Sequence, residues 1–358
     1  MFFETSPFPD YLSHMKNHTK AHAVIDKSLT ALIDELVSKS ATEGSRELFR
    51  EILTTAIKLG RETGDKADLK LVNTTLKELR YSFKIFSPYR NVKKAIMFGS
   101  ARSKETSVEY KMAEEFAGKI TRKGFMVVTG GGPGVMEAGN KGAEHGKDFA
   151  LNIRLPFEQE PNPYIDEKQR LISFKYFFTR KLIFIKETDA TTLFPGGFGT
   201  NDEGFEALTL IQTGKSMPRP IILMEPPGST YWTDWDHFVR KQLVGEGYVS
   251  KEDLNLYCIM HDVDQAVKYI EDFYKVYHSI RYVRGLTVIR LNHEISPKKL
   301  QHLNREFKDI ITEGEIKPSP PVDEELKTGE HPALPRLVMK FNMRNFARLC
   351  EMIHEINR

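Results

Sequence analysis

The chain has 358 residues, of which 40% are hydrophobic and 28% charged, and a formal net charge of +3. This is an ordinary composition for a soluble protein, long enough for one large domain with attachments or for two domains, and too weakly charged to suggest nucleic acid as the main partner. Its two cysteines, Cys258 and Cys350, form no zinc-ligand spacing and no disulfide framework, and no run of about 18 apolar residues predicts a membrane helix. Residues Met1–Asp10 lack the basic stretch and apolar run of a signal peptide, so a reducing cytoplasm is the expected setting.

Residues 1–90 read as a helical N-terminal extension. Val24, Ile25, Leu29, Leu32, Ile33, Leu36 and Val37 recur at helical spacing, and so do Leu48, Ile52, Leu53, Ala56 and Ile57. A third helical stretch covers about 66–86. None of the three carries recognisable chemistry. Packing on the main domain or on a partner subunit is the expectation for such amphipathic helices.

From about Asn91 the texture alternates. Apolar runs at Lys94–Phe98, Phe125–Val128, Phe149–Ile153, Ala190–Phe194 and Pro220–Met224 predict five strands. Helical patterns fall at about 110–122, 135–145, 174–185 and 202–214, between them. Strands without polar alternation, separated by helices, predict a Rossmann-like parallel sheet covered by helices on both faces, over residues 91–275. Residues 276–358 form a separate tail with strands at Leu286–Leu291 and Arg336–Phe341 and helices at about 296–311 and 343–356. Residues 313–335, rich in Pro, Glu and Gly, read as a long loop inside this small βαβα subdomain.

In such a sheet ligands bind beyond the carboxyl ends of the strands. Three strands here end in small or glycine-rich turns: Phe98–Arg102, Thr129–Met136 and Phe194–Thr200. Glycines let backbone N–H groups approach a phosphate, and a helix starting after the turn adds its positive end. A phosphate-binding P-loop is not matched, because Asn140 follows Gly139 where lysine is required. The dinucleotide fingerprint is not matched either, because Gly99 lacks its spacing. The segment Pro195–Glu203 is the most specific: its glycines and Thr200 suit phosphate oxygens, and Asp202 and Glu203 fall in the first turn of the expected helix, with Glu206 facing the same way. Upstream, Arg180 and Lys181 sit on a helix otherwise lined by Phe174, Phe177, Leu182 and Ile183, which favours a partly buried, functional Arg180.

Gly130–Glu137, Arg180–Lys181 and Pro195–Glu203 together resemble the LOG family, which includes cytokinin riboside 5′-monophosphate phosphoribohydrolases and bacterial nucleoside-monophosphate nucleosidases. The continuation Phe205–Gly214 resembles the longer bacterial branch, and the likeness spans roughly residues 90–275. Many relatives carry the label lysine decarboxylase, but no lysine here stands in a recognisable pyridoxal-phosphate setting. The resemblance implies hydrolysis of the N-glycosidic bond of a purine nucleoside 5′-monophosphate to free base and ribose 5-phosphate. It implies Arg180 and Glu203 as the catalytic pair. Lys181, Gly196, Gly197, Gly199, Thr200, Asn201 and Asp202 would hold phosphate and ribose, and Ser100, Gly131, Gly132 and Met136 would line the nucleotide site. Plant-type relatives usually have Glu at the position of Asp202 and often Leu at that of Asn201, which bears on the choice of base. No cofactor and no metal are expected, and the resemblance implies a homodimer or higher homo-oligomer. The alternative is a sensor or carrier that binds a nucleotide in the same pocket without hydrolysis; retention of both Arg180 and Glu203 favours the enzyme.

Overall fold

The computed structural model describes residues 26–156, 160–166, 168–329 and 331–358. The described residues form two compact units, one ending at Arg80 and one from Tyr81 to Arg358. The first contains helices α1 (Lys27–Ser40) and α2 (Arg46–Glu62) and the start of α3 (Lys66–Phe86). Asp26 starts α1 because its carboxylate accepts the Leu29 N–H at 2.9 Å, satisfying one of the donors that a helix N-terminus leaves over. Ion pairs from Arg50 to Asp34 and from Arg61 to Asp26 tie α2 to α1. Of the expected apolar stripe, Ile33 and Val37 are buried while Leu32 and Leu36 are exposed; Val24 and Ile25 lie outside the described residues.

The second unit holds a seven-stranded sheet in the order β4-β3-β2-β1-β5-β6-β7, all pairs parallel. Its strands are β1 (Lys94–Phe98), β2 (Met126–Thr129), β3 (Asp148–Ile153), β4 (Leu171–Phe174), β5 (Ala190–Leu193), β6 (Ile221–Met224) and β7 (Cys258–Met260). Helices α4 (Val108–Arg122), α5 (Val135–Gly142), α6 (Phe177–Glu187), α7 (Phe198–Gln212), α8 (Tyr231–Phe238) and α9 (Val263–Phe273) connect and cover them. Five of these strands are those the sequence predicts. The two others are the two edges. Leu171–Phe174 is short and sits against a helix pattern, yet it pairs with β3 from Leu171↔Ala150 to Phe174↔Ile153, so α6 begins at Phe177 and not at Phe174. Cys258–Met260 is three residues long and only half-buried, too weak a pattern to read alone.

The chain leaves β1 for β2, β3 and β4 on one side, then returns to β5 on the other. The strand order therefore reverses between β1 and β5, which is where an open α/β sheet forms its ligand crevice. One side of the sheet packs Met97, Phe116, Ile120, Phe194, Ile222 and Ile270 into a single apolar cluster. Phe116 of α4 is fully buried there, edge-on to Phe194 at 6.5 Å between centroids. Phe116→Ala should cost about 3–5 kcal/mol of unfolding free energy, read from the urea midpoint.

The tail is a four-stranded antiparallel sheet, order β10-β11-β9-β8, with β8 (Tyr277–Val283), β9 (Leu286–Leu291), β10 (Ile311–Ser319) and β11 (Arg336–Phe341). Helices α10 (Pro297–Glu306) and α12 (Phe346–Asn357) complete the expected βαβα unit, to which β8, β10 and a short α11 (Asp323–Thr328) are added. Strands β8 and β9 turn through Arg284 and Gly285, both at positive φ, the conformation a two-residue hairpin loop demands. The strand Ile311–Ser319 takes up the start of the expected 313–335 loop and the end of the expected 296–311 helix, because this edge strand exposes its charged residues and carries Pro318; only Ile316 is buried. An edge strand tolerates proline and benefits from charge, so the composition of a loop and that of a protected edge coincide. Glu325 of α11 is buried and accepts hydrogen bonds from Arg290 of β9 and Arg336 of β11, each at 2.7 Å, which pins the intervening segment to the sheet. Phe346, at the start of α12, lies against Gly214 at the exit of α7: a Cβ there would fall 2.1 Å from the ring, and Gly214 has φ +69°.

Candidate active site

Ser100 stitches the three glycine-rich turns together. Its N–H donates to the Pro195 carbonyl at 3.0 Å, and its own carbonyl accepts the Val135 N–H at 3.1 Å. The turns after β1, β2 and β5 thus share one backbone network at the switch point. Over it opens a cavity of about 740 Å³, lined by Ser100, Ala101 and Arg102 after β1, Met136 on α5, Phe177 and Arg180 on α6, and the stretch Gly196–Glu203. That volume is in the range of small-ligand and nucleotide pockets.

Helix α7 begins at Phe198, four residues before the expected start. Glycine's poor helix propensity hid the true first turn, which is Phe198–Asn201. No side chain caps it, and Gly197, Phe198 and Gly199 are exposed at the cavity mouth. The first N–H groups of a helix lack intrahelical acceptors, so this end is equipped for an anion. Asp202 and Glu203 consequently lie in the second turn. The helix dipole that favours acids at a helix start does not account for them there.

The two adjacent cations of α6 are in opposite situations. Arg180 makes no ion pair among the described residues, and its Nε is buried without a hydrogen-bond partner. Its guanidinium lies 5.0 Å from the centre of the Phe184 ring and 5.9 Å from that of Phe177. It passes so close over Gly130 that a Cβ at that residue would stand 2.7 Å from its terminal nitrogen. Burial pushes its pKa down to about 10, with Glu203 acting in the opposite sense. Lys181, in contrast, is saturated: its Nζ is 2.6 Å from Glu206, 2.8 Å from Asp202 and 3.9 Å from Glu203. Burial works against its ammonium, but these hydrogen bonds outweigh it and its pKa is raised.

Glu203 is buried, with 9% of its side chain exposed, and borders the cavity. Desolvation pushes its pKa up to about 7; Lys181 and Arg180 pull it down, and Glu206 and Asp202 add to the rise. A carboxyl titrating there is matched to proton transfer near neutrality.

Of the residues singled out in the sequence, Ser100, Met136, Arg180, Gly196, Gly197, Gly199, Thr200, Asn201, Asp202 and Glu203 meet at this cavity. Gly131, Gly132 and Lys181 do not line it. Gly131 and Gly132 are buried beneath it, where their carbonyls accept hydrogen bonds from the Asn162 backbone and side chain at 2.9 and 3.3 Å. The Asn140 that stands in place of a P-loop lysine is a buried hub of the same layer, bonded to Thr129, Asp148 and Asn162. Asn201 spends its amide N–H groups on the Gly197 carbonyl and the Tyr231 hydroxyl, at 3.1 and 2.8 Å.

Phe98, Gly99, Ala101, Arg102, Phe177 and Phe198 also border the cavity. Arg102 was within reach of the sequence, since it closes the Gly-Ser-Ala-Arg turn. Tyr231 was not. It starts α8, some thirty residues downstream, yet its hydroxyl donates to the Gly196 carbonyl at 2.6 Å while accepting from Asn201. Tyr231→Phe should lose about 0.5–1.5 kcal/mol of stability by freeing the Gly196 carbonyl and the Asn201 amide, seen as a lower urea midpoint. Among the described residues no group of three His, Cys, Asp or Glu is placed to hold a metal ion, and no helix is long and apolar enough to cross a membrane.

Residues 123–270 match the model of the family described as "Possible lysine decarboxylase", which is the LOG family. No curated protein matches the chain. Among solved structures, TM1055 is 26% identical, with a TM-score of 0.36 over 50% of this chain and 98% of the other. The molybdenum cofactor binding protein of Rippkaea orientalis is 19% identical, with a TM-score of 0.35 over 50% of this chain and 93% of its own. The Moco carrier protein of Chlamydomonas reinhardtii is 20% identical, with a TM-score of 0.36 over 50% of this chain and 96% of its own.

Proposed function

We propose that this chain, whose residues 123–270 match the LOG family model, hydrolyses the N-glycosidic bond of a purine nucleoside 5′-monophosphate. The observation that carries the reading is that Arg180, with a buried Nε lacking a hydrogen-bond partner, and the buried Glu203 border one glycine-lined cavity, close enough to influence each other's charge. A desolvated cation without a partner is costly unless a ligand supplies the anion, and a phosphate does so. The open N-terminus of α7 offers the same ligand its free N–H groups.

Cleavage of the bond between C1′ and the base nitrogen leaves positive charge on C1′ and the ring oxygen. The Glu203 carboxylate stabilises that charge and takes a proton from the attacking water, whose oxygen bonds to C1′. The electron pair of the broken bond leaves with the base, which takes a proton from solvent and departs free, while Glu203 returns the water's proton to solvent; ribose 5-phosphate remains. Contacts to the 5′-phosphate position the sugar, so nucleosides without phosphate react poorly. Lys181, next to the cavity-lining Arg180, is bound in ion pairs with a raised pKa, opposite to the free, neutral amine that Schiff-base chemistry needs. The family's descriptive name therefore finds no support in these residues.

The test is incubation of the pure protein with AMP, GMP, CMP and isopentenyladenosine monophosphate, followed by chromatography for free base. Base and ribose 5-phosphate in equal amounts support the hydrolase. Bound AMP with no base released leaves a nucleotide-binding protein and ends the catalytic reading.

A further inference from the structure

We propose that Lys181 is a positioning residue for Glu203: its ammonium, clamped between Asp202 and Glu206 on α7, holds the Glu203 carboxylate charged and in place, and it does not contact the ligand's phosphate. The role assigned to Glu203 rests on the hydrolase reading; the coupling between the two side chains does not.

The geometry carries the argument. Lys181 and Glu206 are 2.6 Å apart and Lys181 and Asp202 2.8 Å apart, so two of the three ammonium hydrogens are spent on α7. Glu203 lies 3.9 Å from the same ammonium, within ion-pair range. With 15% of its side chain exposed, Lys181 is absent from the cavity lining, whereas Arg180, one residue earlier, borders it with no ion pair. A successive pair on a helix points about 100° apart, so one cation faces the ligand and the other faces the acids of α7. Asp202 and Glu206 alone would surround Glu203 with like charge; Lys181 offsets both. Among the described residues, the charged groups that face Glu203 are Arg180 and Lys181 from α6 and Asp202 and Glu206 from its own helix, and Arg102 after β1 borders the same cavity. Burial raises the Glu203 pKa, and Lys181 is the strongest influence opposing that rise.

The experiment is a ¹³C NMR titration of unliganded protein labelled at the glutamate side-chain carboxyl, with the Glu203 signal identified by its loss in Glu203→Gln. In Lys181→Met the Glu203 midpoint should rise by about one pH unit or more, the effect of removing an opposite charge at this range. Lys181→Arg should restore it. Glu206→Gln, which removes a like charge, should move it down, and this variant serves if Lys181→Met does not fold. With AMP as substrate, the acid limb of kcat/KM should move with the midpoint in each variant. A midpoint that stays put in Lys181→Met, with KM for AMP raised and an unmoved pH profile, overturns the proposal and makes Lys181 a phosphate ligand. A midpoint that stays put or rises in Glu206→Gln overturns it as well. Absence of base release by the parent protein, with the midpoint shifts intact, rejects the hydrolase reading and leaves the Lys181–Glu203 coupling standing.

Discussion

Glu203→Gln should lower kcat for AMP by about 100-fold or more, as removal of one transition-state stabiliser does elsewhere, while leaving the fold intact. The amide keeps the shape of the carboxyl but cannot carry its charge or accept the water's proton. Its effect on stability has a definite sign. The folded-state pKa of Glu203, about 7, lies above its ordinary value of 4.5, so the folded protein holds a proton that the unfolded chain gives up. Stability from this group is therefore fully present below pH 4.5 and is lost as pH rises through 7. The glutamine variant never ionises and should be at least as resistant to urea as the parent at pH 8. For the parent, kcat/KM should climb with pH through this same region as Glu203 ionises in the free enzyme. A variant that folds and retains near-parental turnover removes Glu203 from the chemistry.

Arg180→Met should separate function from stability in the other direction. The parent holds a guanidinium with a buried, unpartnered Nε near the Phe177 and Phe184 rings, an arrangement that costs the fold stability when no anion is present. Methionine fills similar space without the charge, so thermal stability without ligand should hold or rise. Activity should fall by about 100-fold to 1,000-fold, the range for loss of a charged stabiliser of a transition state. Melting with AMP discriminates further. At about 100 times Kd a ligand adds about 2.7 kcal/mol to the parent, and the variant should gain little at the same concentration. If Arg180→Met melts well below the parent and binds AMP equally, Arg180 is a structural residue and the anion site lies elsewhere.

The α/β architecture was legible because fully buried parallel strands leave uninterrupted apolar runs, as in Lys94–Phe98 and Asp148–Ile153. The strands that escaped are at edges: β4 and β7 in one sheet, β8 and β10 in the other. Each has a neighbour on one side alone and needs less apolar surface, so Leu171–Phe174 alternates half-buried with buried positions and Ile311–Ser319 buries one residue. Motif residues from Gly196 to Glu203 could be placed from sequence because one short stretch carries them. What sequence could not supply was the direction of side chains. Arg180 and Lys181 are chemically alike and adjacent, and only the packing of α6 against α7 decides which cation is paired. The start of α7 was misplaced because its first turn is built from residues that disfavour helix. Tyr231 was invisible because a hydrogen bond to Gly196 leaves no trace in a local pattern.

The contact of Phe346 with Gly214 packs the C-terminal end of α7 against the C-terminal sheet unit. One end presents Phe198 and Gly199 to the cavity; the other is wedged under an aromatic ring from the C-terminal sheet. Fifteen residues make a rod of roughly 22 Å, too short to bend appreciably. A bulkier residue at 214 should therefore disturb the end of α7 remote from the cavity, where the Phe346 ring already fills the space a Cβ would need.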